Sequence, residues 1–157
     1  MNTNQSMFEL AKKIYPIHRS ITGAGVRETL AILKKENNLL NIKSIKSGTE
    51  VFDWIIPDEW NIRDAYISDL KGKKIISFKS NNLHIVGYSE PMNKIVSLDE
   101  LKNHLFFLKD KPNLIPYITS YYKRNWGFSL SYKLFKSLKD DFYKVYIDSD
   151  FNSHGEL

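Results

Sequence analysis

Residues 48–64 read GTEVFDWIIPDEWNIRD, holding five carboxylates, two tryptophans and one arginine. Val51, Asp53 and Ile55 alternate with Phe52, Trp54 and Ile56, which is the two-residue period of a β-strand. Pro57-Asp58 predicts a turn, Trp60 covers the end of the hairpin, and Arg63-Asp64 opens the next strand. General acid–base chemistry needs two carboxylates in different environments at a set separation. Spacing along a strand does not create that. Aromatic-rich strand pairs ordinarily build a structural hairpin with a polar edge, and the stretch is read that way.

Upstream the grammar is helical. Met7, Leu10, Ala11 and Ile14 recur at helical spacing and Pro16 stops them. A second helix is predicted to begin between Thr22 and Gly25, to turn Val26, Leu30 and Leu33 inward, and to end at Asn37-Asn38. Short strands are predicted over 42–45, 51–56, 63–68, 75–78 and 83–88, with turns at 57–58, around Gly72, and at Asn81-Asn82. Ser97 and Glu100 form a capping box for a helix through Leu108. A strand over 117–122, a Ser131-capped helix to Leu138 and a strand over 142–147 follow. Ser153-His154-Gly155 predicts a turn into a two-residue return, Glu156-Leu157. A lone edge strand is an aggregation hazard, so this end reads as a sheet completed by further chain or by a partner.

The order gives an α+β fold: N-terminal helices over 1–45, a β-rich block over 46–112, and mixed structure over 113–157. At 157 residues, 42% hydrophobic and 26% charged, the composition is that of an ordinary globular domain. No apolar run approaches the roughly 18 residues of a bilayer span, and no membrane partner is expected. The absence of cysteine removes disulfides and thiolate metal sites, which places the expectation in the cytoplasm. The net charge of +5 is concentrated at the front. Residues 1–45 carry seven Lys/Arg against three acids, whereas residues 46–112 carry ten of each. Lys12, Lys13, Lys34 and Lys35 look like solvated helix faces, so no nucleic-acid partner is expected.

Catalytic motifs are sparse. His18, His84, His104 and His154 stand far apart, with no His-Glu-x-x-His helix. A Gly-x-Ser-x-Gly elbow and a phosphate-cradling Gly-x-x-x-x-Gly-Lys loop are both missing. Ser20-Ile21-Thr22-Gly23-Ala24-Gly25 precedes a helix and suits either an anion or an ordinary cap and turn, the cap being the commoner use. Residues 117–128, YITSYYKRNWGF, combine five aromatics with Lys123 and Arg124, a density that suits sugar or peptide stacking and equally suits a core.

Tyr15–Gly23, the run GTEVFDWIIPDEWNIRDAYI, NNLHIVGYSEP and YITSYYKRNWGF together resemble a bacterial family of aminopeptidase-like proteins, often associated with polysaccharide-biosynthesis loci. The resemblance covers essentially the whole chain. It implies the fold of di-zinc exopeptidases, here the N-terminal helices and the start of the α/β sheet, interrupted by a small inserted β-rich domain. After Trp126-Gly127-Phe128 the family pattern carries Cys and then His; this chain has Ser129 and Tyr132. The resemblance implies an N-terminal region of a zinc-dependent aminopeptidase-like hydrolase, ending before the metal ligands. No catalytic residue and no metal ligand is therefore assigned to this chain, and the zinc belongs to a full-length member. The expected partner is the remainder of the peptidase domain or a separate catalytic chain, with a peptide-like or glycan-linked substrate. His18, Arg19, Tyr121, Tyr122 and Trp126 are expected to line the substrate cleft. The competing reading is a non-enzymatic peptide- or glycan-binding or partner-docking module.

Overall fold

Apolar residues at helical spacing give α1 (Thr3–Ile14) and α2 (Ala24–Glu36) in a computed structural model that describes residues 3–157. The Ile14 carbonyl at the end of α1 accepts from Arg19 Nη1 at 2.5 Å and from the Ile17 amide at 3.2 Å. Lys12 and Lys13, and Lys34 and Lys35, fall in the last turns of the two helices, where positive charge complements the helix dipole.

The quoted stretch folds differently from its reading. It is not one strand turning at Pro57-Asp58. Instead β1 (Glu50–Val51) and β2 (Trp54–Ile55) form a minimal antiparallel hairpin closed by Phe52 and Asp53, with Phe52 at φ 54°. A bulky residue at positive φ is not something periodicity predicts. Beyond Pro57 the chain enters β3 (Glu59–Ser68), which pairs antiparallel with β4 (Lys74–Ser77).

The expected strand over 83–88 is replaced by a 3-10 turn, Asn82–His84, and isolated bridges at Ile85, Gly87 and Ser89. A strand that the reading missed, β5 (Met92–Ser97), follows; its burial does not alternate cleanly. Ser97 caps α3 (Leu98–Lys102), accepting from the Glu100 amide, but the helix stops well short of Leu108. Leu105 is needed instead in β6 (Leu105–Phe106), which pairs in parallel with β7 (Phe128–Ser129). No strand forms over 117–122 or over 42–45. Ser131 caps α4 (Tyr132–Ser137) as expected.

The last strand, β8 (Phe142–Asn152), overturns the edge-strand reading. The sheet order is β4-β3-β8-β5, so β8 is flanked on both sides and β5 supplies a full antiparallel register from Met92↔Ile147 to Ser97↔Phe142. Tyr143, Val145, Ile147 and Ser149 alternate into the interior, as period two requires.

The chain divides into two compact units, Ile62–Asp150 and the flanking residues up to Asn61 with Phe151–Leu157. These limits lie away from the expected ones near 45 and 112, because the divisions fall inside β3 and β8 and not at changes of composition. The helices and strands make the fold α+β.

The units differ in how they are filled. Ile62–Asp150 holds a continuous core that includes Ile67, Ile76, Val96, Leu101, Phe128, Leu130 and Val145. In the flanking unit, among the described residues, only Ile56 and Trp60 are buried apolar side chains. Met7, Phe8, Tyr15, Leu39, Ile42, Ile45, Phe52 and Ile55 are all exposed there.

Candidate functional site

In the flanking unit the most constrained polar group is Glu59, 5% exposed at the start of β3. Arg27 on α2 grips it with two hydrogen bonds, Nη1 to Oε2 at 2.9 Å and Nη2 to Oε1 at 2.6 Å. Asn61 Nδ2 donates to Oε1 at 3.0 Å, and the Glu156 amide donates to Oε2 at 3.4 Å. The Arg27 bonds, with help from Asn61, outweigh burial and hold the Glu59 pKa down to about 2. A carboxylate so fully engaged is a fastener and has no lone pair to offer as a general base. It clamps the last residues of the chain: Ile45 and Leu157 exchange two backbone bonds at 3.0 and 2.9 Å, and Ser47 N–H reaches Gly155 O at 3.0 Å. Gly155 is required, since a Cβ there would lie 2.2 Å from Glu59 Cβ.

The possible anion cradle before α2 is already occupied by the protein. Gly23 caps the helix at φ 96°, and the Ala24 amide donates to Asn61 Oδ1 at 2.8 Å. Thr22 Oγ1 accepts from the Trp60 amide at 3.0 Å. His18 stands edge-on to Trp60, ring centroids 5.7 Å apart. Burial first, and then the Arg19 charge, lower its pKa to about 4, so the imidazole is neutral near pH 7. Arg19 itself is turned to Ile14 O and to Thr29 Oγ1.

Both groups make the fold acid-sensitive. His18 titrates lower in the folded chain than its ordinary 6.5, so stability falls as pH drops from about 6.5 to about 4. Glu59 adds a second loss as pH drops from about 4.5 to about 2. Denaturant midpoints measured from pH 8 to pH 3 are expected to decline in that order. A Glu59→Gln variant should start less stable and lose the lower step; an unchanged lower step would show that another group carries it.

In Ile62–Asp150 the expected site residues separate by role. Trp126 is 7% exposed and stacks on His104, centroids 3.7 Å apart, while His104 Nδ1 meets Trp126 O at 2.9 Å. A ring so enclosed presents no open face to a ligand. Gly127 does allow a close approach, but by the protein's own Phe106 ring and His104 carbonyl. Tyr121 packs edge-on to Tyr88 and against Tyr122, and Tyr122 is 74% exposed. Tyr121 and Tyr122 are thus brought together, whereas His18 and Arg19 belong to the other unit. Tyr88 lies at φ 65°, strain of roughly 1–2 kcal/mol for a bulky residue, yet it is buried. Its neighbour Ser89 donates to Val86 O at 2.6 Å, accepts from the Gly127 amide at 3.2 Å, and receives Ser149 Oγ on its carbonyl at 2.8 Å.

Two carboxylates of the quoted stretch are held in ion pairs. Glu59 is committed to Arg27, while Asp64 faces Lys79 at 3.5 Å and Lys74 at 3.8 Å. Ser129 is fully buried and its hydroxyl has no hydrogen-bond partner among the described residues; His84 Nδ1 meets the Ser129 carbonyl, at 2.7 Å. That geometry activates no nucleophile. Among the described residues no three His, Cys, Asp or Glu side chains come together to hold an ion. No helix among them is long and apolar enough to cross a membrane.

The Glu59–Arg27 clamp was missed from sequence because its partners lie 32 positions apart, with no local spacing rule to join them.

Comparison with known proteins adds three matches. Residues 59–150 match the family described as "Domain of unknown function (DUF2172)", and the match coincides closely with the well-cored unit. The chain is 52% identical over 147 residues to a Clostridium acetobutylicum protein named "Putative polysaccharide biosynthesis protein with aminopeptidase-like domain", covering 94% of this chain and 34% of that protein. It superposes with a TM-score of 0.92 and 50% identity on the crystal structure of a "putative peptidase" from Clostridium acetobutylicum, covering 99% of this chain and 36% of that one. The chain spans about a third of the length of these relatives.

Proposed function

The chain belongs to the DUF2172 family, and on that premise we propose that it is the N-terminal part of an aminopeptidase-like hydrolase of the zinc exopeptidase kind. The chain itself is not catalytic; the metal-holding residues lie in the part of the relatives that it does not match. A peptide-like or glycan-linked molecule is the substrate class, in keeping with the relative named for polysaccharide biosynthesis and an aminopeptidase-like domain.

The observation that carries this reading is the unequal filling of the two units. A unit that buries Ile56 and Trp60 alone while exposing Phe8, Tyr15 and, at 88%, Leu39 lacks the apolar core that sustains a domain. The remaining two thirds of the relatives is the natural cover for it, and a hydrolase core laid against that face supplies the catalytic groups. In this arrangement the buried Glu59 positions the Gly155–Leu157 segment.

The test uses the 157-residue chain and the complementary segment of the Clostridium acetobutylicum relative as separate proteins. Neither alone is expected to hydrolyse aminoacyl p-nitroanilides with added zinc. Mixed, they should co-elute, quench the binding of an apolar-surface dye to the short chain, and cleave the substrate. Zinc-dependent turnover by the 157-residue chain alone overturns the reading, and so does failure to associate.

A further inference from the structure

The two segments of the flanking unit meet in a short antiparallel ladder. Ile45 and Leu157 exchange main-chain bonds in both directions, Lys46 stands opposite Glu156, and the Ser47 amide reaches Gly155 O. Beyond Ile45 the ladder runs out on main chain that nothing covers. Residues 40–45 run without helix, turn or bend, and Asn41, Ile42, Lys43 and Ser44 are all exposed. Among the described residues, no hydrogen-bond partner reaches the main chain of these four. Sequence reads 42–45 as a strand, yet its pairing stops at its last residue.

In an antiparallel ladder the groups that face the partner strand recur at every second residue. Ile45 faces Leu157 with both its N–H and its C=O. Lys43 and then Asn41 are therefore the next residues to present theirs on that side, while Ile42 and Ser44 present theirs on the other. Leu39, Ile42 and Ile45 leave apolar side chains exposed along the same stretch.

We infer that the 41–44 strip is a docking edge for the segment that follows the Leu157 position in the longer relatives, added as an antiparallel continuation of the ladder. Lys43 pairs with the second residue beyond Leu157, and Asn41 with the fourth. Three features select this occupant. The register and the antiparallel direction are already set by the Ile45–Leu157 and Lys46–Glu156 pairs. A segment tethered at Leu157 reaches Lys43 with almost no loop to close, whereas a free peptide or a second copy bears the full cost of association. A strand laid along the edge satisfies bare main-chain groups and begins to cover Ile42. The inference rests on the reading of this chain as the N-terminal part of a longer protein, and it names the first contact that the remainder makes.

The experiment compares the 157-residue chain with the same chain extended after Leu157 by roughly eight residues, a strand's length. The added residues are those that follow the matched position in the Clostridium acetobutylicum relative. Amide hydrogen exchange is followed by NMR, with the Ile45 amide, bonded in both proteins, as the folding reference. In the extended chain the Lys43 and Asn41 amides are expected to slow about tenfold or more, and those of Ile42 and Ser44 by less than about twofold. Proline at the second and fourth added positions removes the donors to the Lys43 and Asn41 carbonyls and should restore the exchange of the short chain. Fast exchange at Lys43 and Asn41 in the extended chain overturns the inference, and so does equal slowing of all four amides, which marks general compaction. Slowing in the short chain that grows with protein concentration overturns it too and assigns the edge to a second copy. No zinc, substrate or catalytic segment enters this test. Its outcome is therefore separate from that of the mixing experiment, which tests the hydrolase reading.

Discussion

Trp126→Ala is expected to lose about 4 kcal/mol of stability, the cost of emptying a large buried aromatic site. The ring is almost wholly enclosed, lies flat on His104, and its carbonyl meets His104 Nδ1. Truncation therefore leaves a cavity and an imidazole with one face unpacked. Gly127 next to it touches Phe106 and the His104 carbonyl, so the surroundings have little freedom to collapse into the space. Tyr122→Ala is the internal control: its side chain is exposed, and its cost should stay within about 0.5 kcal/mol. Urea unfolding of the three proteins at one pH checks both values. Similar midpoints for the Trp126 and Tyr122 variants would contradict the buried assignment of Trp126.

Gly25→Ala sets two effects of opposite sign against each other. Alanine in a helix is favoured over glycine by about 1 kcal/mol. Here a Cβ would fall 1.8 Å from the carbonyl oxygen of His18, a backbone atom that cannot swing aside. Overpacking against a fixed neighbour costs about 3 kcal/mol or more. The clash wins, and a net loss of about 2–3 kcal/mol is expected. It should be accompanied by a shift of the His18 imidazole signals in the NMR spectrum, because the segment carrying His18 must move. A gain in stability would mean that the His18–Gly25 contact is loose in solution.

How much of this was legible in the sequence depends on the range of the forces involved. The Ser97 and Ser131 caps were readable, because a capping hydroxyl acts on an amide three residues ahead. A strand over 142–147 was readable too, since its period of two is local. Tyr88 and Phe52 at positive φ were not, since nothing near them in sequence calls for a left-handed residue of that size. The pairing of β5 with β8 was invisible, and its absence from the reading made β8 look like an unpaired edge. Of the candidate site, the density of Tyr121, Tyr122 and Trp126 was evident, but which ring faces outward was not. Exposure is set by packing against His104 and Tyr88, which the sequence does not bring adjacent.

The pairing of Ile45 with Leu157 joins the segment before Ile62–Asp150 to the segment after it, and this implies an order of assembly. During synthesis Ile62–Asp150 has all its core residues in hand before Phe151–Leu157 emerges, so it can condense while the N-terminal helices wait. Because β3 and β8 are neighbours in its sheet, that first event brings the segments that flank it close and removes much of the loop-closure entropy from the second. The Ile45–Leu157 ribbon and the Arg27–Glu59 clamp are then late contacts, which should show as unfolding rates sensitive to changes there and refolding rates indifferent to them.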